Sequence, residues 1–438
     1  DGHFLGLESL PMKYLNVLPV SPLLVTNKDL FLFSKADGES CDRPCNDSTR
    51  TCHFSFHVTE EVSMSILCGD CPFEQMDCYA RGCVTAGGYV RRIVTINSQV
   101  PGPPIHVCEG DTIKVDVYNH MASESTTIHW HGLRQLGSPY MDGVPFVTQC
   151  PILPNNHFTY SFLAEPAGTH MYHGHTGFQE ADGLFGALII RRREPTEIQK
   201  LYDFDLPEHT VILWHCVFLF LAELPIPGPF PQINDIGFEF PTSNLLRKSS
   251  DKFFCNYSRI DSQYCIGQFC ACTHVLKVKR NSLVEMVFFD TSGADRNQDH
   301  PFHIHGHSVR VVASMTVGPH LDEATVRQMN TNGTLKKDLH RAPLKDTFSV
   351  PNKGIVVVRL IADNPGYWIV HCHVSNHMEL GMAFVLQVGE ERDMTPLPRS
   401  FPICGDWPNA QENGAPNFTP PILGLLFFVL LVGSGALN

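Results

Sequence analysis

One stretch limits this chain more than any other: His371-Cys372-His373-Val374-Ser375-Asn376-His377-Met378-Glu379-Leu380-Gly381-Met382. The residues before it, Gly366-Tyr367-Trp368-Ile369-Val370, are aromatic and β-branched and predict a strand running into it. Alternate side chains of a strand face opposite ways. His371 and His373 therefore share one face and Cys372 takes the other. A metal held by Cys372 would have a second metal site behind it, served by the two flanking histidines. His377 and Met382 follow at plus five and plus ten, where a strand-to-loop turn folds them back onto Cys372.

Two histidines, a cysteine thiolate and a weak axial methionine form the ligand set of a blue-copper electron-transfer site. The histidine still missing from that set is supplied by the window His300-Pro301-Phe302-His303-Ile304-His305-Gly306-His307. His129-Trp130-His131-Gly132 and His173-Gly174-His175 repeat the same grammar. A single His-X-His pair is usually a partly exposed strand pair. Four such windows, holding a large share of 23 histidines and centred on one cysteine, are better read as metal sites. Zinc also accepts His and Cys, but a structural zinc site closes with about four ligands. These windows offer enough donors for three or four metals.

The four windows resemble the four copper signatures of the multicopper oxidases, the laccase, ascorbate oxidase and ferroxidase family. The resemblance covers most of residues 36–400. It implies a type 1 copper on His300, Cys372, His377 and Met382, and a type 2 copper on His129 and His303. It implies a type 3 pair on His131, His173, His175, His305, His371 and His373. Four copper ions are thus the expected cofactors. In the family, electrons enter at type 1, pass through the cysteine and its flanking histidines, and reduce dioxygen to water at the trinuclear cluster. Cys372, His371 and His373 would carry that path. Asp142, in Met141-Asp142-Gly143-Val144-Pro145, matches a family aspartate that lies beside the type 2 copper and helps protonate bound oxygen. Its other reading is an ordinary turn aspartate before glycine. His307, outside the ligand pattern, is read as structural. Axial Met382 implies a modest type 1 potential, suited to easily oxidised donors.

At 438 residues, 43% hydrophobic and 18% charged, the chain is long enough for two or three globular domains. A net charge of −13 argues against nucleic acid as a partner. Sixteen cysteines are many, and Cys41, Cys45, Cys52, Cys68, Cys71, Cys78 and Cys83 cluster early. The spacing of Cys68 and Cys71 would also suit zinc or redox chemistry. Asn-X-Ser/Thr sequons at Asn46, Asn256, Asn332 and Asn417 favour a secreted glycoprotein with disulfides. The early cluster resembles the Cys-rich region of arthropod multicopper oxidases, which supports that choice. With Cys372 set aside as a ligand, an odd number remains, and Cys216 is read as the unpaired one.

Residues 1–35 start without Met and show no clean signal peptide, their apolar run being broken by Pro11, Pro19 and Pro22. Short strands separated by Gly and Pro turns predict an all-β sandwich over 36–193, which with the Cys-rich region forms a first cupredoxin domain by resemblance. A last cupredoxin domain spans 241–400, with strands near 284–289, 309–312, 355–361 and 383–388. The family norm is three such Greek-key β-sandwich domains. Residues 194–240 are too few for a sandwich of about 100 residues, so they read as a linker replacing the middle domain.

The tail, 401–438, carries an apolar run at 421–433, short of the about 20 residues a spanning helix needs. Small residues and a brief spacer precede it, which fits a GPI signal, with a short membrane helix as the alternative. Either places the folded part at the cell surface or outside the cell. The expected function is oxidation of small reductants (diphenols, ascorbate or ferrous iron) with dioxygen as acceptor. The competing reading is a truncated, membrane-anchored copper-binding protein with little turnover. A homo-oligomer would follow if the two ligand halves had to meet between chains.

Overall fold

The structure is a computed structural model. It describes residues 41–193 apart from 47, then 231–247, 269–291, 298–318 and 321–405, with short pieces at 210, 212, 254–255 and 265–266. The N-terminal segment, most of the linker, Cys216 and the apolar tail lie outside the described residues.

The first domain has eight strands: β1 (Thr51–Ser63), β2 (Arg91–Ile96), β3 (Ile105–Cys108), β4 (Thr112–Asn119), β5 (Ile128–His131), β6 (His157–Leu163), β7 (Gly168–Gly174) and β8 (Phe185–Arg191). They form two four-stranded sheets, in the orders β2-β1-β4-β6 and β3-β8-β7-β5. The pairs β1 with β4 and β3 with β8 are parallel, and the rest antiparallel. The alternation in β4 explains its place: Ile113, Val115 and Val117 are fully buried between the sheets, while Thr112, Lys114 and Asp116 face outward. Trp130, Tyr160, Tyr172 and Phe56 fill the core. β1 escapes sequence reading because it lies among cysteines, yet Cys52, Phe54, Phe56 and Val58 alternate with polar residues as a half-buried strand requires.

In the last domain the strands are β9 (Ile236–Phe238), β10 (Phe254–Cys255), β11 (Cys265–Ile266), β12 (Phe269–Val278), β13 (Leu283–Phe289), β14 (His300–Ile304), β15 (Val309–Thr316), β16 (Leu344–Lys345), β17 (Thr347–Val350), β18 (Gly354–Ile361), β19 (Gly366–Cys372) and β20 (Ala383–Val388). One sheet runs β10-β12-β20-β19-β14-β17, with β9 and β11 also on β12; the other runs β13-β18-β15-β16. β9 lies before residue 241 and still joins this sheet, pairing Cys270 with Ile236. Two helices, α1 (Glu323–Thr331) and α2 (Ser375–Glu379), are the α-helices among the described residues.

The two sandwiches share a core. Val144 and Val147 of the first domain pack with Phe238, Leu245, Val275, Tyr367, Ile369 and Val385 of the last. Asn364 Nδ2 donates to the Arg134 carbonyl at 2.6 Å, and Leu245 N donates to the Phe146 carbonyl at 3.1 Å. Past residue 400 the chain returns to the first domain, where Phe401 packs edge-on against Tyr140 and Phe158 and Cys404 is bonded to Cys150.

The early cysteines are disulfides: Cys41–Cys52, Cys45–Cys108, Cys68–Cys83 and Cys71–Cys78. The Cys68 and Cys71 spacing therefore holds no metal. Cys255 pairs with Cys272, and Cys270 is also disulfide-bonded. Among the described residues Cys372 is the free cysteine, and no helix is long and apolar enough to cross a membrane.

Candidate metal centre

β19 is buried along its whole length and ends at Cys372, with neighbours β14 and β20 on either side. The period of two holds at its end. Cys372 points into the core of the last domain, among Val370, Phe302 and Met382. His371 and His373 point the other way, towards the first domain.

On the cysteine side, Sγ of Cys372 lies 3.8 Å from His300 Nδ1 and 3.6 Å from His377 Nδ1. His300 opens β14. His377 sits on α2, a short helix where the sequence suggested a turn; the helix still brings the ring back over the sulfur. The backbone N–H of Cys372 donates to the Met382 carbonyl at 3.0 Å, which folds Met382 against the same core. Burial pushes the Cys372 thiol up to about 11. A metal bound here must displace that proton, since the thiolate is the ligand.

On the other face eight histidines converge, four from each domain. The Nε2 atoms of His129 and His303 are 3.3 Å apart. His175, His305 and His371 form one triad, whose ligand atoms all lie within 4.8 Å of one another. His131, His173 and His373 form another, with ring centroids 5.0–5.7 Å apart. Each group draws on both domains. The strands explain this: β5 and β7 pair His129 with His173, and β14 and β19 pair His303 with His371.

Burial holds the rings of His131, His175, His303, His305 and His371 well below the usual histidine value, and the neighbouring imidazoles push the same way. Burial also lowers His173, to about 4. These rings are neutral at pH 7 and their lone pairs are free for a metal. Several ring nitrogens in the cluster have no hydrogen-bond partner: His131 Nδ1, His173 Nε2, both nitrogens of His175, and His373 Nε2 are buried and unsatisfied. An orphaned buried polar atom costs about 1–3 kcal/mol. A bound metal would satisfy several of them at once, and these histidines fall into groups whose ligand atoms lie close enough to share an ion.

Asp142 is fully buried behind two of the rings. Its Oδ2 accepts from His305 Nδ1 at 2.8 Å, and its Oδ1 lies 3.4 Å from His129 Nδ1. It is thus no ordinary turn residue, although it does precede Gly143. His307 is buried outside both groups, its Nδ1 3.4 Å from the His305 carbonyl and its ring edge-on to Trp368. Two supporting residues went unnoticed in the sequence, Thr347 and Glu180. Thr347 Oγ1 is 3.1 Å from both His131 Nε2 and His303 Nδ1. Neither residue belongs to a recognisable spacing, and only the packed fold brings them to the rings.

Two family models, each described as "Multicopper oxidase", match residues 79–195 and 242–392, the segments that supply the two halves of this cluster. The chain belongs to the multicopper oxidase family. It is 54% identical over 123 residues to an L-ascorbate oxidase of Brassica rapa subsp. pekinensis, a match covering 28% of this chain and 22% of that protein. It is 52% identical over 107 residues to Laccase-2 of Botryotinia fuckeliana, covering 24% of this chain and 18% of that protein. The matched stretches thus span about a fifth of these relatives' own length. In fold the chain is similar to Fet3p, described as a multicopper oxidase that functions in iron import, with a TM-score of 0.52 and 18% identity over 79% of this chain and 92% of that one. A laccase from Botrytis aclada aligns at a TM-score of 0.51 and 19% identity over 82% of this chain and 92% of that one. Copper is the metal of this multicopper oxidase family, and the thiol-imidazole group on one face and the all-imidazole set on the other suit it.

Proposed function

We propose that this chain is a copper-dependent oxidase that takes single electrons from a small reductant and delivers them to dioxygen. The reading is carried by one juxtaposition: Cys372 belongs to one donor group, and its two covalent neighbours belong to two others. His300, Cys372, His377 and Met382 would hold the type 1 ion, and His129 with His303 the type 2 ion. The triads His175, His305, His371 and His131, His173, His373 would hold the type 3 pair. Copper bound at these positions would supply one-electron oxidation at the cysteine and four-electron reduction of dioxygen to water at the histidines.

The chain's own part is to place and wire these sites. A single peptide link joins Cys372 to each flanking histidine, and His371 Nδ1 donates to the Cys372 carbonyl at 3.0 Å. The path from sulfur to imidazole is therefore short and rigid. Asp142 fixes the tautomers of His129 and His305, turning Nε2 of each towards the cluster, and is our choice for delivering protons there.

The domain reading is a first cupredoxin domain over 36–193 and a last one over 241–400, which β9 extends back to Ile236, with the residues between them in place of a middle domain. The shared core and the convergence of both sets of histidines in one chain support it. They also favour turnover over the inert copper-binding alternative, because completing the cluster requires no second chain. Diphenols, ascorbate and ferrous iron are the donor classes we propose. The disulfides favour an oxidising, extracellular setting, and attachment through the apolar tail extends that reading.

Copper stoichiometry with optical and EPR spectra on the copper-loaded chain tests the proposal. Four ions with both a visible thiolate band and a coupled, EPR-silent pair are expected. One ion with the thiolate band alone would overturn the oxidase reading and leave the copper-binding one.

A further inference from the structure

The triad of His131, His173 and His373 has a carboxylate of its own. Glu180 lies on the connection between β7 and β8. Its Oε2 is 3.4 Å from His173 Nδ1 and its Oε1 is 3.9 Å from His373 Nδ1. On the far side of both rings Nε2 is buried without a protein partner. A carboxylate on the outward nitrogen, with the inward nitrogen free, is how metal-ligating histidines are commonly fixed in tautomer and orientation. His173 comes from the first domain and His373 from the last, so one side chain spans the seam between them. Asp142 stands in a similar place behind His129 and His305: its main-chain carbonyl accepts from His129 Nδ1 at 2.7 Å and its Oδ2 accepts from His305 Nδ1 at 2.8 Å. Each of the two acidic residues thus stands behind one histidine from either domain.

We propose that Glu180 is a positioning residue for this triad, holding the His173 and His373 rings with Nδ1 outward and Nε2 turned to the metal. The inference rests on the copper reading above. Glu180 also lines a narrow cleft with Gly177, Ser375 and Met378 that reaches the triad. His173 Nδ1 has a second acceptor, the Gly174 carbonyl at 3.0 Å. For His373, Glu180 is the acidic group within ion-pair range among the described residues.

The test compares the copper-loaded chain with Glu180→Ala and Glu180→Gln by total copper, visible spectrum and EPR. Glu180→Ala is expected to keep the thiolate band, which reports a folded last domain. It is expected to weaken copper at the triad by about 10–100-fold and to raise the EPR-visible share of the copper that remains, as the coupled pair loses a member. Glu180→Gln, whose amide oxygen still accepts, falls between the two and carries the comparison if the alanine variant does not fold. A Glu180→Ala protein with the full copper complement and an unchanged EPR spectrum overturns this inference alone. Parent protein that takes up no copper overturns the oxidase reading and this inference with it.

Discussion

Asp142 owes its position to the residue after it. Gly143 has φ +87°, and a Cβ there would stand 1.9 Å from the Ile128 carbonyl oxygen, one residue before His129. Only glycine allows this backbone to lie against β5 while the preceding carboxylate reaches His305. Gly143→Ala should therefore cost at least about 2 kcal/mol, from positive-φ strain plus the clash, and it should release Asp142 from the rings. Denaturant unfolding and copper uptake at the histidine cluster would read the two effects. Gly306 serves the other domain in the same way: its φ is +67°, and a Cβ would meet the Trp368 ring at 2.3 Å. That contact seats the chain immediately after His305.

β12 carries a residue that the metal centre does not use. His274 is fully buried, its ring faces Phe384 on β20, and neither ring nitrogen has a protein partner. Burial lowers it to about 4. An unfolded histidine titrates near 6.5, so below that pH the unfolded chain binds a proton that the folded chain refuses. This contribution is intact above about 6.5 and is lost as the pH falls towards 4. The slope is up to about 1.4 kcal/mol per pH unit. His274→Phe should flatten that slope, and unfolding free energies measured between pH 7 and 4.5 would check it. Equal slopes in the two proteins would show that His274 finds a partner on protonation.

The two sandwiches are held to each other by contacts that close over long stretches of chain. Cys150–Cys404 spans 254 residues and ties the end of the last domain to the first. Together with the Val144, Val147 and Phe238 core it sets the distance between the two histidine halves. Replacing both cysteines with serine should destabilise the protein by about 2–5 kcal/mol. Because type 1 donors come from the last domain alone and the histidine cluster from both, the loss should fall unevenly. Copper at the cluster should weaken before the thiolate band does. Equal loss of both signals during reductive or thermal titration would mean that the domains do not separate before they unfold.

Much of the site was legible in the linear sequence because its rule is local. The alternation of a strand put Cys372 on one face and His371 and His373 on the other, and no distant contact was needed to see it. Continuous apolar runs marked β18 and β20 as buried strands, and the His-X-His windows named every imidazole that converges here. What tertiary structure decided is the grouping. Which six histidines form which triad depends on β5 pairing with β7, on β14 pairing with β19, and on how one sandwich docks against the other. Glu180 and Thr347 had no sequence signal because a single acceptor behind a ring has no spacing to recognise. Likewise the return of Phe401 and Cys404 to the first domain could not be read, since a disulfide partner 254 residues away is chosen by packing and not by pattern.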